Sequence, residues 1–215
     1  MMKKVQLFSI IFMFLLLIGS SAIFAATLTV HSDGVSGMFN TINAALLAAN
    51  PGDVIEIVEP NGFFQETILI DKANLTIKGQ KFAPPVIYGI GAWTWPDGNT
   101  VTVAKDAGDG LVLEDLVIMA GAGVFTALRI RDGHETTGIT IRNCVIGAPP
   151  VGDGDDNWDA AVFIYTKNKV TIENSLMKDG NPVLRVTDQD GVGGTTNVTI
   201  TDSKIFETRV GAAVF

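Results

Sequence analysis

Apolar and polar residues alternate along this chain in short copies of one pattern. Four segments align without gaps: Gly138-Ile-Thr-Ile-Arg-Asn-Cys-Val-Ile146, Lys169-Val-Thr-Ile-Glu-Asn-Ser-Leu-Met177, Asn197-Val-Thr-Ile-Thr-Asp-Ser-Lys-Ile205 and, more loosely, Gly110-Leu-Val-Leu-Glu-Asp-Leu-Val-Ile118. Asn74-Leu-Thr-Ile-Lys-Gly79 is a degenerate earlier copy. A period of two marks a strand with one buried face, so Ile139 and Ile141 point one way and Thr140 the other. Each strand stops at an Asn or Asp (Asp115, Asn143, Asn174, Asp202), residue types that tolerate a left-handed backbone. Between the copies lies a second strand set, Ala127–Arg131, Ala161–Tyr165 and Val183–Thr187, with Ala212–Phe215 as a further candidate.

From Leu111 to Ile139, Val170 and Val198 the copies step by 28, 31 and 28 residues. Strands at that period with no intervening helix predict a parallel β-solenoid, in which one turn of chain cannot bury its apolar face and stacking makes the core. An antiparallel sandwich would not explain the match from unit to unit.

The N-terminal segment has a different pattern. Lys3 and Lys4 precede an apolar run from Leu7 to Ile18, followed by small residues. The run is too short to span a bilayer, which takes about 20 residues, and fits a secretory signal. The expected organisation is a signal peptide over 1–25 and a single domain over 26–215, with Ala22 as a competing cleavage site. Without Lys3 and Lys4 the balance is 13 basic to 23 acidic side chains, a net charge of −10. That argues against nucleic acid and anionic membranes as partners. The one cysteine, Cys144, has no intrachain partner, so packing and a hydrogen-bond ladder must hold the fold.

The chain resembles the pectate-lyase-like (pectin lyase fold) superfamily of right-handed parallel β-helices over nearly all of the part after the signal. The most specific stretch is Val30-His-Ser-Asp-Gly34, Phe39-Asn-Thr-Ile-Asn-Ala-Ala45 and Ala48-Ala-Asn-Pro-Gly-Asp-Val-Ile-Glu-Ile57, similar to the opening of pectinesterases. The resemblance implies an all-β, right-handed parallel β-helix whose first coil is plugged by a short helix. The residues agree: Thr41 or Asn40 can cap it, Ile42, Ala45, Leu46 and Ala49 share a face, and Pro51-Gly52 end it. At the other end the chain stops within an expected core strand without a polar cap, so a C-terminal truncation is expected.

In this superfamily the resemblance places catalysis and sugar binding along one stacked strand set. On the second set the outward positions are Arg129, Phe163 and Arg185 in one stack and Arg131, Tyr165 and Thr187 in the next. Coils about 4.8 Å apart would put Arg129 and Arg185 about 9.6 Å apart with Phe163 between them. Guanidinium groups suit carboxylates and an aromatic face suits a sugar ring, so Arg129, Arg131, Phe163, Tyr165 and Arg185 are candidate contacts for an acidic polysaccharide. The competing reading is a solvated sheet face with the arginines paired to Asp132 and Asp188. Asp153, Asp155, Asn157 and Asp159 form the densest oxygen-donor cluster and are candidate ligands for calcium, against a plain acidic turn.

His31 and His134 have no metal-ligand spacing, and an exposed loop histidine is the plainer reading of His134. Trp93 and Trp95 share a strand face and either stack sugar or pack a loop. Cys144 reads as a small core residue. The pectinesterase likeness does not reach the catalytic motifs, because no Gly-Asp-Phe-Ile-Phe-Gly type segment occurs. Three readings remain: a secreted carbohydrate-active enzyme, a noncatalytic surface adhesin or scaffold solenoid, and a protein of ice or mineral surfaces. The last would need a flat regular Thr array, which the repeats do not display.

Overall fold

The computed structural model describes residues 25–91, 98–105, 107–121, 123–131, 138–148, 160–165, 169–180, 182–187 and 197–206. Its strands pair only in parallel, and the chain winds through three sheets in turn. Sheet 1 holds β1 (Thr27–Val30), β2 (Val54–Ile57), β5 (Thr76–Lys78), β8 (Val112–Glu114), β11 (Ile139–Arg142), β14 (Lys169–Glu173) and β17 (Asn197–Thr201). Sheet 2 holds β3 (Phe63–Phe64), β6 (Val86–Gly89), β9 (Val117–Ala120), β12 (Val145–Gly147), β15 (Leu176–Lys178) and β18 (Lys204–Phe206). Sheet 3 holds β4 (Ile68–Ile70), β7 (Asn99–Val103), β10 (Thr126–Ile130), β13 (Val162–Tyr165) and β16 (Leu184–Thr187). This is a right-handed parallel β-helix.

Register follows the repeat. Val170 lies beside Ile139 and Val198 beside Val170, so each copy stacks on the next. Two strand sets were expected, but the chain uses three. The Asn or Asp after β8, β11, β14 and β17 bends the backbone, and a strand of sheet 2 starts two residues beyond it. Asp115, Asn143, Asn174 and Asp202 take φ of 55, 54, 46 and 49°. In the same column, the N–H groups of Asp115, Asn143 and Asn174 donate to the carbonyls of Arg142, Glu173 and Thr201 in the next coil. The corner is therefore hydrogen-bonded along the axis, as a buried backbone requires. Next to it the Ser175 hydroxyl accepts from the Cys144 N–H and the Ser203 hydroxyl from the Ser175 N–H, at 3.1 and 3.0 Å. Cys144 is buried within this column, and desolvation pushes its thiol up to about 12, so it is an inert packing residue.

Helix α1 (Ile42–Ala48) lies over the first coil, with Ile42, Ala45 and Leu46 buried in the same core as the strands. The Thr41 hydroxyl caps it by accepting from the Ala44 N–H. Two residues flanking β4 clamp its ends. Glu66 accepts from the Ile42 and Asn43 N–H groups, and the Lys72 ammonium donates to the Leu46, Leu47 and Ala49 carbonyls. Each charge opposes the helix dipole at its own end. Asp53, buried at the start of β2, accepts from the Ala26 and Asn50 N–H groups, both at 2.7 Å. Hydrogen bonds from Asn50 and then Ala26 hold its carboxyl below the usual range.

The three sheets share one interior and differ on their outer faces. Outward on sheet 1 runs a row of Thr27, Val54, Thr76, Val112, Thr140, Thr171 and Thr199. Beside it runs a charged row of Glu56, Lys78, Glu114, Arg142 and Glu173, with ion pairs of 2.9 Å from Lys78 to Glu56 and from Arg142 to Glu114. A single threonine–valine row flanked by charge is not the flat array that an ice or mineral surface would need.

Candidate functional site

Sheet 3 carries the stack named from sequence. Ile68, Val101, Leu128, Val162 and Leu184 face inward in register, as do Ile70, Val103, Ile130, Ile164 and Val186. The residue between each pair must then face out, which gives the row Leu69, Thr102, Arg129, Phe163 and Arg185. Arg129, Phe163 and Arg185 occupy consecutive coils, and Tyr165 is paired with Thr187 one row along. Arg131 follows β10, its N–H bonded to the Val103 carbonyl.

The surroundings of that row were not legible in the strand pattern. Arg129 is 3% exposed and Phe163 and Tyr165 are 2% exposed, although all three lie on the outer face of the solenoid. Ala160, Phe163 and Tyr165 form a small apolar cluster separate from the main core. A solvated sheet face is therefore not what these residues make; Arg131 and Arg185 alone of the five candidates are partly exposed.

The buried guanidinium is held by aromatic groups. A terminal nitrogen of Arg129 donates to the Tyr165 hydroxyl. Its carbon centre lies 4.9 Å from the Tyr165 ring centroid and 5.7 Å from that of Phe163. Arg185 lies 5.2 Å from the Phe163 ring on the next coil. The two rings are 4.8 Å apart and tilted by 53°. Phe163 thus meets a guanidinium from each neighbouring coil, a cation–π arrangement whose strength rises where water is excluded. On β7 of the same sheet the outward Thr100 and Thr102 are polar and buried: the Thr102 hydroxyl accepts from Asn99 at 3.2 Å, and the Thr100 hydroxyl donates to the Met119 carbonyl at 2.9 Å.

The other candidates fall elsewhere. Asp153, Asp155, Asn157 and Asp159 lie outside the described residues, as do Trp93, Trp95, His134, Asp132, Asp188 and residues 212–215. His31 sits on the first coil, its Nδ1 accepting from the Asp33 N–H at 3.3 Å and lying 3.9 Å from Glu59. Among the described residues no group of three or more His, Cys, Asp or Glu side chains is placed to hold a metal ion. Among them, too, no helix is long and apolar enough to cross a membrane.

Known structures with this architecture include pectin methylesterase from carrot, which superposes with a TM-score of 0.52 at 19% identity. The match covers 88% of this chain and 66% of the carrot enzyme. The fold is the pectin-lyase-like β-helix. The Escherichia coli protein YbhC has the same pectin-lyase-like fold, with a TM-score of 0.50, 15% identity, and 90% of this chain covering 67% of that protein. No protein-family model and no curated protein sequence matches this chain. At such identities the likeness speaks for the pectin-lyase-like architecture and leaves the chemistry to the residues themselves.

Proposed function

We propose that this is an exported protein that recognises or processes an extracellular acidic polysaccharide along the outer face of sheet 3. The observation that carries the reading is the register row Arg129, Phe163 and Arg185, which concentrates guanidinium groups on a chain of net charge −8. Buried Arg129 and Tyr165 act as positioning residues for the face, while partly exposed Arg131 and Arg185 meet the carboxylates of the glycan. Guanidinium groups form paired hydrogen bonds with carboxylates, which suits a uronate chain. Carrot pectin methylesterase is a protein of pectin by name, and its shared fold supports the choice of substrate class. Export rests on the leader-like residues 1–25.

Calcium belongs to this reading through the oxygen donors of Asp153, Asp155, Asn157 and Asp159. The test is to incubate the protein with polygalacturonate, with calcium or with chelator, and to follow both binding and the ultraviolet absorbance of an unsaturated uronate. Calcium-dependent absorbance lost in Arg185→Ala identifies a lyase acting on this face. Salt-sensitive binding without absorbance identifies a recognition module. Absence of both, or binding indifferent to Arg131→Ala and Arg185→Ala, overturns the reading.

One observation favours the alternative, a noncatalytic adhesin or scaffold. The aromatic–arginine cluster is buried as a small second core, and such packing serves stability whatever the outer surface does.

A further inference from the structure

Sheet 2 presents an outer face unlike the other two. Its outward row reads Phe63, Val86, Val117, Val145 and Leu176 on consecutive coils, with Lys204 only at the last. The adjacent row adds Tyr88, Met119 and Gly147 before Lys178 and Phe206. At the helix-capped end Phe63 is 53% exposed, and its ring lies 5.6 Å from that of Tyr88 at an interplanar angle of 31°. Gly147 keeps the strip flat in the middle. A Cβ there would come within 3.1 Å of the Met119 sulfur and methyl, so its absence lets that side chain lie across the coil.

We propose that this strip is a second binding surface, and that its occupant is one chain of a neutral linear polysaccharide lying along the solenoid axis. Charge argues for the neutral class. From β3 to β12 neither row bears an ionised group, while the same coils of sheet 1 alternate Glu, Lys, Glu and Arg. A carboxylated chain would find no counter-charge there until Lys178, which is already 3.2 Å from Asp179. Area argues against a protein occupant. Six strands about 4.8 Å apart and two outward rows wide give a strip on the order of 200–300 Å², against about 800 Å² per partner in a stable protein interface. A single glycan chain fits that footprint: its ring C–H faces stack on Phe63 and Tyr88, and its length follows the row. The proposal does not rest on the arginine row of sheet 3, because no residue is shared.

The test measures depletion of the full chain from solution by insoluble cellulose, chitin, mannan and xylan at high salt, beside Phe63→Ala/Tyr88→Ala and Met119→Lys. All these side chains face outward, and circular dichroism and melting temperature check that each variant folds. The expected result is retention by at least one of the four that survives salt and falls about tenfold in both variants. Arg131→Ala/Arg185→Ala should leave it unchanged, which separates this surface from the acidic-polysaccharide face. Retention by none of the four glycans, or retention equal in all variants, overturns the proposal. So does capture by neutral phosphatidylcholine vesicles or a strip-dependent dimer in sedimentation, with no glycan bound.

Discussion

Sheets 1 and 3 belong to the same solenoid and send similar aliphatic rows into the same core, yet they face the outside in opposite ways. In β11 the burial alternates, with Ile139 and Ile141 buried and Thr140 and Arg142 partly exposed. In β10 and β13 every residue is buried, the outward Arg129 and Phe163 included. Sheet 1 satisfies its outer charges with one another across coils. In sheet 3 a guanidinium is held by aromatic rings and a phenol. Alternation in a strand therefore reports which side faces the core, and it does not report that the other side faces water.

The largest effect should come from what the sheets share. Ile141 is fully buried in sheet 1, and Ile141→Ala should cost about 3–4 kcal/mol in urea unfolding, through lost burial and the cavity left behind. Arg129→Ala sharpens the comparison. It removes the donor to Tyr165 and the cation beside both rings, and should cost about 2–3 kcal/mol, far above a surface arginine. A loss below about 0.5 kcal/mol, the scale of an ordinary surface substitution, would show that the outer layer of sheet 3 is not a second packed core.

The corner that joins sheet 1 to sheet 2 should be intermediate. Asn143→Ala places a Cβ-bearing residue with no local hydrogen-bonding group at φ 54° and should cost about 1 kcal/mol, with Asn143→Gly near neutral. Glu114→Gln breaks the ion pair with Arg142, whose side chain is 42% exposed. Solvent screening keeps that loss to a few tenths of a kcal/mol, shrinking further in salt. Equal losses from Glu114→Gln and Arg129→Ala would erase the distinction between the two faces.

Acid gives the last contrast. Asp53 and Glu59, on the first coils beside sheet 1, both have lowered folded-state pKa values. Backbone hydrogen bonds from Asn50 and Ala26 act on Asp53, and the Ser32 hydroxyl and N–H act on Glu59. A carboxyl with a depressed folded value stabilises fully above its unfolded pKa, near 4, and the contribution is lost as pH falls through the folded value. Protection of the Asn50 amide relative to its intrinsic exchange rate should therefore fall below about pH 4, while the amides of β10 and β13 keep their protection. Uniform loss over both regions would show that Asp53 and Glu59 do not act locally.

Much of the architecture was legible without coordinates. The stacked Ile-Thr-Ile copies and the Asn and Asp corners follow from residue type and period, because they depend on local backbone preference and a one-dimensional repeat. The helix over the first coil was implied by the resemblance to pectinesterase openings, with only its cap and apolar face readable in the residues. The row of Arg129, Phe163 and Arg185 was readable for the same reason, since stacking carries a sequence position straight to the next coil. Sheet 2 was missed as a sheet of its own. Its strands are two to four residues long, and a segment such as Val145–Gly147 is too short to show a period.

What the sequence by itself determined is which residues stack on which, because a parallel coil turns chain separation into neighbourhood. What only the tertiary structure decided is how each outer face meets its surroundings. Burial of Arg129 against Tyr165, the Glu66 and Lys72 clamp on the helix and the Phe63–Tyr88 platform each join side chains from different coils at a particular depth. Depth depends on the whole packed chain, and no local pattern of apolar and polar residues encodes it.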